Sequence, residues 1–401
     1  MKNKLRFLLS KKNTIDILIG LLLFHFILIN LPWIPIYNIL KYATLCIVGI
    51  YILLNFRILI KKNKYLVFNI LAILMGCILM FSSYLNKDNY VRNTFLASIV
   101  TVGLFLESIF YFEIILHKSK TFELINCWGI LSLIYSCLVT ASIFLLGENA
   151  SISGDYLVGD KFHVSYLNLF TLIVWWFILK KKNCSYKMKL FMGILLFIIT
   201  SFLINSSTGV VAFILLLFLL LLEKYLTKII SNPLFFLLIF VLSATFVFTY
   251  DLLDNFELVK FFIVDFLGKD LTLTSRVYIY HKLPKIIYDN FLIGTGYGST
   301  YEFMMDYAGA PNTQNGFFEI FLQGGIFYIL LYTLFILFTY IGVKRKNFKY
   351  IYPLYVYSAI IIILSSIEIT YDLNFVSLLF IFYIIGTMDN VVTNNKVGVV
   401  I

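Results

Sequence analysis

YLVFNILAILMGCILMFSSY, residues Tyr65–Tyr84, is a run of twenty residues without a charge. At a rise of about 1.5 Å per residue, a helix of that length spans roughly 30 Å, the thickness of the hydrocarbon core of a bilayer. Polar and apolar residues do not alternate along it, so it is not a barrel strand. In lipid a helix then remains the way to satisfy each backbone donor and acceptor internally. Tyr65–Tyr84 reads as a transmembrane helix.

The same reading extends over the chain, which is 61% hydrophobic and 13% charged. Further runs lie at Thr14–Leu31, Ile39–Ile60, Thr94–Leu116, Leu124–Leu146, His163–Leu179, Leu190–Ile204, Gly209–Leu222, Pro233–Tyr250, Gly316–Val343, Tyr350–Ile369 and Phe375–Met388. The expected fold is an all-α polytopic membrane protein with about 12 transmembrane helices. One large extracytoplasmic loop, residues 251–315, stands between the ninth and tenth spans. No internal repeat or low-complexity linker divides the chain, so residues 1–401 are taken as a single integral membrane domain.

Charge tests the count of spans. Lys and Arg resist translocation and gather at cytoplasmic span ends. Starting from a cytoplasmic N-terminus, 23 of the 32 Lys and Arg residues fall on the inner side, including Lys118, Lys120, Lys180–Lys189, Lys224 and Lys228. Both termini are expected in the cytoplasm and residues 251–315 outside. The basic N-terminus is followed by an apolar run with no small-residue cleavage pattern, which predicts a retained first helix.

The net charge of +11 follows from this topology and from anionic headgroups, so no nucleic-acid partner is expected. Cys46, Cys77, Cys127 and Cys137 fall within spans and Cys184 in a cytoplasmic loop, which reads as core filler and not as a disulfide framework. The four histidines are scattered, with no paired cysteine spacing or acidic calcium loop, so neither a metal nor another cofactor is expected.

Chemistry is sought in the external segments. Ser82–Asn93 carries Arg92, whose planar fork of donors suits phosphate or a lipid headgroup. Gly147–Phe162 is an acidic, glycine- and serine-containing loop. The hydroxyl-rich turn Asn205-Ser206-Ser207-Thr208-Gly209 fits either a cavity lining or a helix cap. Residues 251–315 hold Thr274-Ser275-Arg276, where Thr274 or Ser275 fits an N-cap and Arg276 the first turn of a helix facing an anion. Val277, Tyr280, Pro284 and Ile287 then fall on roughly one face, with a kink or break expected at Pro284. Gly294-Thr295-Gly296-Tyr297-Gly298 follows no buried strand, so it reads as tight turning beside a cavity and not as a dinucleotide fingerprint.

Taken in order, these motifs resemble the bacterial O-antigen ligase and polymerase superfamily, specifically the Wzy-type repeat-unit polymerases. The resemblance covers roughly Ser206 to Gly342. It rests on Ser206-Ser207-Thr208-Gly209 before a span, Ser275-Arg276 opening a loop helix, and Asp289-Asn290-Phe291-Leu292-Ile293-Gly294-Thr295-Gly296-Tyr297-Gly298. The last element is Gln314-Asn315-Gly316-Phe317-Phe318-Glu319 with Gly324-Gly325. Two departures stand out: Ser207 occupies the place of an expected arginine, and Gln314 that of a histidine. A glutamine side chain cannot serve as a general base.

The resemblance implies metal-independent glycosyl transfer at the outer face of the bacterial plasma membrane. An undecaprenyl-pyrophosphate-linked oligosaccharide is the implied donor, and another lipid-linked repeat unit the acceptor. Arg276 is then expected to hold the donor pyrophosphate. His281, Glu319, Glu302 and Asp306 are the candidates for proton transfer, and the sequence does not choose among them. Arg92, Ser207, Thr208, Asn312, Gln314 and Asn315 are expected to contact substrate. A chain-length regulator and a flippase are the implied protein partners. A ligase that moves finished glycan shares this architecture. A lipid-linked oligosaccharide flippase is the reading from another class, and under it Glu107, Glu113 and His25 within spans would matter.

Overall fold

The computed structural model describes residues 11–29, 31, 36–61, 65–151, 154–253, 256–266, 276–342 and 348–388. Their fold is all helical. In chain order the helices are α1 Lys11–Ile27, α2 Tyr37–Lys61, α3 Leu66–Leu85, α4 Thr94–His117 and α5 Thr121–Leu146. There follow α6 Lys161–Lys181, α7 Lys187–Leu203, α8 Ser207–Leu221, α9 Glu223–Ile230 and α10 Pro233–Leu253. Then come α11 Arg276–Asp289, α12 Thr300–Ala308, α13 Gly316–Ile341, α14 Phe348–Leu364 and α15 Leu373–Thr387, besides short helical turns at Gly147–Ala150, Glu257–Lys260 and Phe261–Phe266.

Twelve of these helices have fifteen residues or more, and each corresponds to one apolar run of the sequence. Six are long and apolar enough to cross a membrane, and α8 with α9 makes a seventh if that pair, bent by 102°, is one span. The chain is a multi-pass membrane protein.

The C-terminal hairpin forms the centre of the bundle. Nearly every described residue of α14 and α15 is buried, as expected for helices that are apolar all round. α14 packs on α6, α8 and α10, and α15 on α4 and α13. Ser365 and Ser366 end α14 by turning their hydroxyls back onto the carbonyls of Ile362 and Ile363, at 2.6 and 2.8 Å. The eleventh apolar run therefore stops five residues short of Ile369, and the turn it frees, residues 365–372, carries Glu368 and Asp372 to the end of the bundle where residues 276–315 lie.

The opposite end holds the basic clusters. There Lys118 and Lys120 pair with Asp16, and Lys180 with Glu223. The short helix α9 turns away at this end and, among its residues, buries Ile230 alone. Cys46, Cys77 and Cys137 are exposed on the outer surface of the bundle, so they are not core fillers. Their thiols face outward where lipid tails would surround them.

Residues 276–315 are fastened to the bundle through backbone. Gly325 breaks α13 with φ of 69°. Into this break fits the glycine phrase: Thr295 N donates to Leu322 O (2.6 Å), Gly296 N to Gln323 O (3.1 Å) and Ile326 N to Phe291 O (2.9 Å). A Cβ on Gly325 would lie 2.2 Å from Leu292 O, and one on Gly294 2.5 Å from Leu322 O, so both positions require glycine. Helix α11 runs as one helix through Pro284, so the break expected there is not seen, and Pro284 lies on its exposed side. Its buried face is Ile279, Tyr280, Leu283 and Ile286.

Candidate functional site

Arg276, the first residue of α11, sits where three separate segments meet. Its Nε donates to Gln314 Oε1 at 3.0 Å, and a terminal nitrogen donates to Glu368 Oε1 at 2.5 Å. Thr208 Oγ1, in the first turn of α8, donates to the same Glu368 oxygen at 3.1 Å. Gln314 is held in turn, with its backbone and side-chain nitrogens donating to Asn312 Oδ1 at 3.0 and 2.7 Å, and its carbonyl accepting from Tyr280. Burial pushes the Glu368 carboxyl above the usual glutamate range, and the Arg276 charge with the Thr208 hydrogen bond recovers only part of that shift.

Two cavities adjoin this cluster, sharing Phe162, Gln314 and Glu368 in their walls. The first, of about 420 Å³, is bordered by the cations Arg276 and Lys161 and by Ser207 and Thr208. Ser206 caps α8 by accepting from Gly209 N at 3.2 Å, so the positive end of that helix's dipole faces the same space. Two side-chain cations and a helix N-terminus around one cavity suit a phosphate or pyrophosphate.

The second cavity, about 440 Å³, is bordered by Lys41, Asp160, His163, Tyr166 and Asp372. Asp160 caps α6, its Oδ1 accepting from the backbone nitrogens of Phe162 and His163, each at 2.9 Å, and His163 Nδ1 lies 2.8 Å from the same oxygen. Burial pulls the Asp160 carboxyl up, yet these hydrogen bonds and the imidazole hold it below the usual aspartate range. Asp372 caps α15 through Phe375 N at 2.7 Å and accepts from Asn374.

Of the residues singled out in the sequence, Arg276, Ser207, Thr208, Asn312 and Gln314 come together around these cavities. Arg92 lies elsewhere: its guanidinium is beside Gly298, and its backbone nitrogen donates to Glu302 Oε1 at 3.0 Å. Lys161 is the second cation beside Arg276. His281 is on the exposed side of α11 and lines neither cavity. Glu319 is buried under the turn before α13, where Oε2 accepts from Thr313 Oγ1 at 3.1 Å and Oε1 from Gln323 at 3.1 Å. Asn315 is fully buried; it caps α13 through Phe318 N, and its amide donates to the carbonyls of Ser243 (2.9 Å) and Ser366 (3.0 Å). Thr274 and Ser275 lie outside the described residues. The glycine phrase lines neither cavity and belongs to the seam with α13.

Sequence reasoning missed Glu368, Asp372 and the His163 side chain. Glu368 and Asp372 lay within and beside a run read as membrane span. For His163 a signal was present, since Asp160 followed by a histidine three residues later at the mouth of an apolar run fits a capped helix start. Among the described residues no three His, Cys, Asp or Glu side chains converge to hold a metal ion.

The family model Wzy_C, described as O-antigen ligase, matches residues 191–333. That stretch runs from α7 to within α13 and takes in Ser207, Thr208, Arg276, Gln314 and the glycine seam. The helix carrying His163 and the turn carrying Glu368 lie outside it. No curated protein and no solved structure matched the chain. Over residues 191–333 this multi-pass membrane protein is therefore similar to the O-antigen ligase family, a match consistent with the O-antigen ligase/polymerase superfamily.

Proposed function

We propose that the protein polymerises undecaprenyl-pyrophosphate-linked oligosaccharide repeat units by metal-independent glycosyl transfer at the outer face of the bacterial plasma membrane. The observation that carries this reading is the Arg276 cluster: a guanidinium pinned by Gln314 and Glu368 beside Lys161 and the N-terminus of α8. Two of the five guanidinium N–H donors are engaged within the protein, which leaves up to three for phosphate oxygens.

In the transfer an acceptor sugar hydroxyl attacks the anomeric carbon of the donor. The bond from that carbon to the pyrophosphate oxygen breaks, and its electron pair leaves with the lipid pyrophosphate. Negative charge grows on the leaving group, where Arg276, Lys161 and the α8 amides await it in fixed positions. Removing one such preorganised donor typically costs about 10²–10³ in rate, roughly 2.7–4 kcal/mol. The adjoining cavity provides a place for the acceptor across the wall formed by Gln314 and Glu368.

The description of the matched family favours a second reading, transfer of finished glycan to a different acceptor by a ligase. Mass spectrometry of lipid-linked saccharides in cells carrying Arg276→Ala separates the two. Single repeat units trapped on the outer face, without polymer, are expected. Fully polymerised lipid-linked chains would replace the polymerase with the ligase.

A further inference from the structure

Transfer to a sugar hydroxyl requires a group that takes the hydroxyl proton, and the position where a histidine was expected holds Gln314. Three carboxyl groups and one imidazole border the second cavity. Glu368 is engaged by Arg276 and Thr208, Asp372 by Phe375 N and Asn374, and Asp160 by two backbone amides and His163. His163 engages Nδ1 alone, and Nε2 has no hydrogen-bond partner among the described residues.

A second polar side chain belongs to this wall. Tyr166, one turn along α6 on the same cavity wall, has its hydroxyl shielded from solvent without a hydrogen-bond partner among the described residues.

We propose that His163 is the general base of the transfer, accepting the acceptor hydroxyl proton at Nε2, and that Asp160 is the positioning residue that fixes the ring through Nδ1. This rests on the glycosyl-transfer reading above. As the new carbon–oxygen bond forms, the proton passes to Nε2 and the electron pair of the broken bond leaves with the lipid pyrophosphate; the imidazolium then returns its proton to water. Asp160 stabilises that imidazolium, as an anion hydrogen-bonded to the far side of the ring does in general. The other charges acting on the ring are those of Asp155 and Asp372, with Lys41 and Glu368 on other walls of the cavity.

The test uses the purified full-length chain in lipid nanodiscs with a lipid-pyrophosphate-linked oligosaccharide as donor and acceptor, and follows chain elongation against pH. The wild type is expected to lose rate on the acid side as His163 is protonated. His163→Gln is expected to lower kcat by about 10²–10⁴ and abolish that acid limb, with donor KM little changed. Asp160→Asn is expected to lower kcat by a smaller factor and move the limb to lower pH, which a merely structural cap would not do. If His163→Gln proves unstable, His163→Asn, whose amide nitrogen stands in for Nδ1, takes its place. Wild-type rates and an unchanged profile in the variant overturn the base, as does a wild-type profile without an acid limb. A wild type that transfers no sugar overturns the glycosyl-transfer reading itself, and the base with it.

Discussion

Arg276 and Glu368 stand 92 residues apart in sequence and 2.5 Å apart in space, joined between the first turn of α11 and the turn of the central hairpin. The pair fixes the direction of the guanidinium before any ligand arrives. Arg276→Ala is expected to reduce glycan elongation by about 10²–10³, and Arg276→Lys nearly as much, because an ammonium cannot keep Gln314 and Glu368 while meeting a phosphate through a fork. Glu368→Gln keeps an acceptor for Arg276 and Thr208 but removes the competing charge. It is expected to lower donor KM with a modest fall in kcat, as steady-state kinetics on purified protein would show.

Asn315 is expected to matter for stability. Asn315→Ala removes the α13 cap and leaves two buried carbonyls, those of Ser243 and Ser366, without their amide donor. The Ser366 carbonyl keeps the Tyr280 hydroxyl at 3.4 Å, so a loss of about 1–3 kcal/mol follows from the cap and the lost amide donations. Asn315→Asp keeps the capping oxygen and loses the donors, so thermal unfolding in detergent should place it between the wild type and the alanine variant.

Gly325→Ala puts a methyl group against main chain that cannot yield, at a positive φ as well. Little folded protein is expected on size-exclusion chromatography. Gly309→Ala is the control, with φ of 64° and open space around the added carbon. It should cost only about 1 kcal/mol, the strain of the left-handed backbone.

The Asp160 carboxyl is held below its ordinary value of 3.8 in the folded protein, so the unfolded chain binds more protons as pH falls. Its contribution to stability is present above that ordinary value and is lost as pH drops through the depressed one. The difference in unfolding temperature between wild type and Asp160→Asn should therefore hold at neutral pH and close in strong acid.

Sidedness is open to labelling. Cys184, exposed on the basic end, should resist a membrane-impermeant maleimide on intact cells, whereas a cysteine at the exposed His281 position should react. Equal reaction at both would overturn the assigned orientation.

The helices were legible in the sequence because apolar runs of bilayer length fold as helices in lipid. Arg276 was legible as a candidate anion contact and the Ser207-Thr208 turn as a candidate cavity lining or cap, and both border one cavity in the structure. Their meeting place was not legible, since it depends on a turn that hydropathy hides: Ser365 and Ser366 satisfy their hydroxyls on their own helix and look like span interior, which put Glu368 in the membrane. His163 opened a run read for its apolarity, so its polar partner three residues earlier was assigned to a different segment. Gln314 pointed to a missing base, but nothing in one sequence says which helix carries a replacement. The glycines announced positive φ and close approach, though not the broken helix they approach.

The join between residues 291–296 and the break in α13 is made of main-chain atoms on both sides. Side-chain drift around it leaves its bonding pattern intact, provided the glycines stay. Residues suspended on either side, in α11 and in the stretch from α12 to Gln314, can thus be changed without unmaking this mount. Anchorage and cavity lining are thus separate parts of the structure, and an engineer has a fixed frame in which to change the side chains around the cavities.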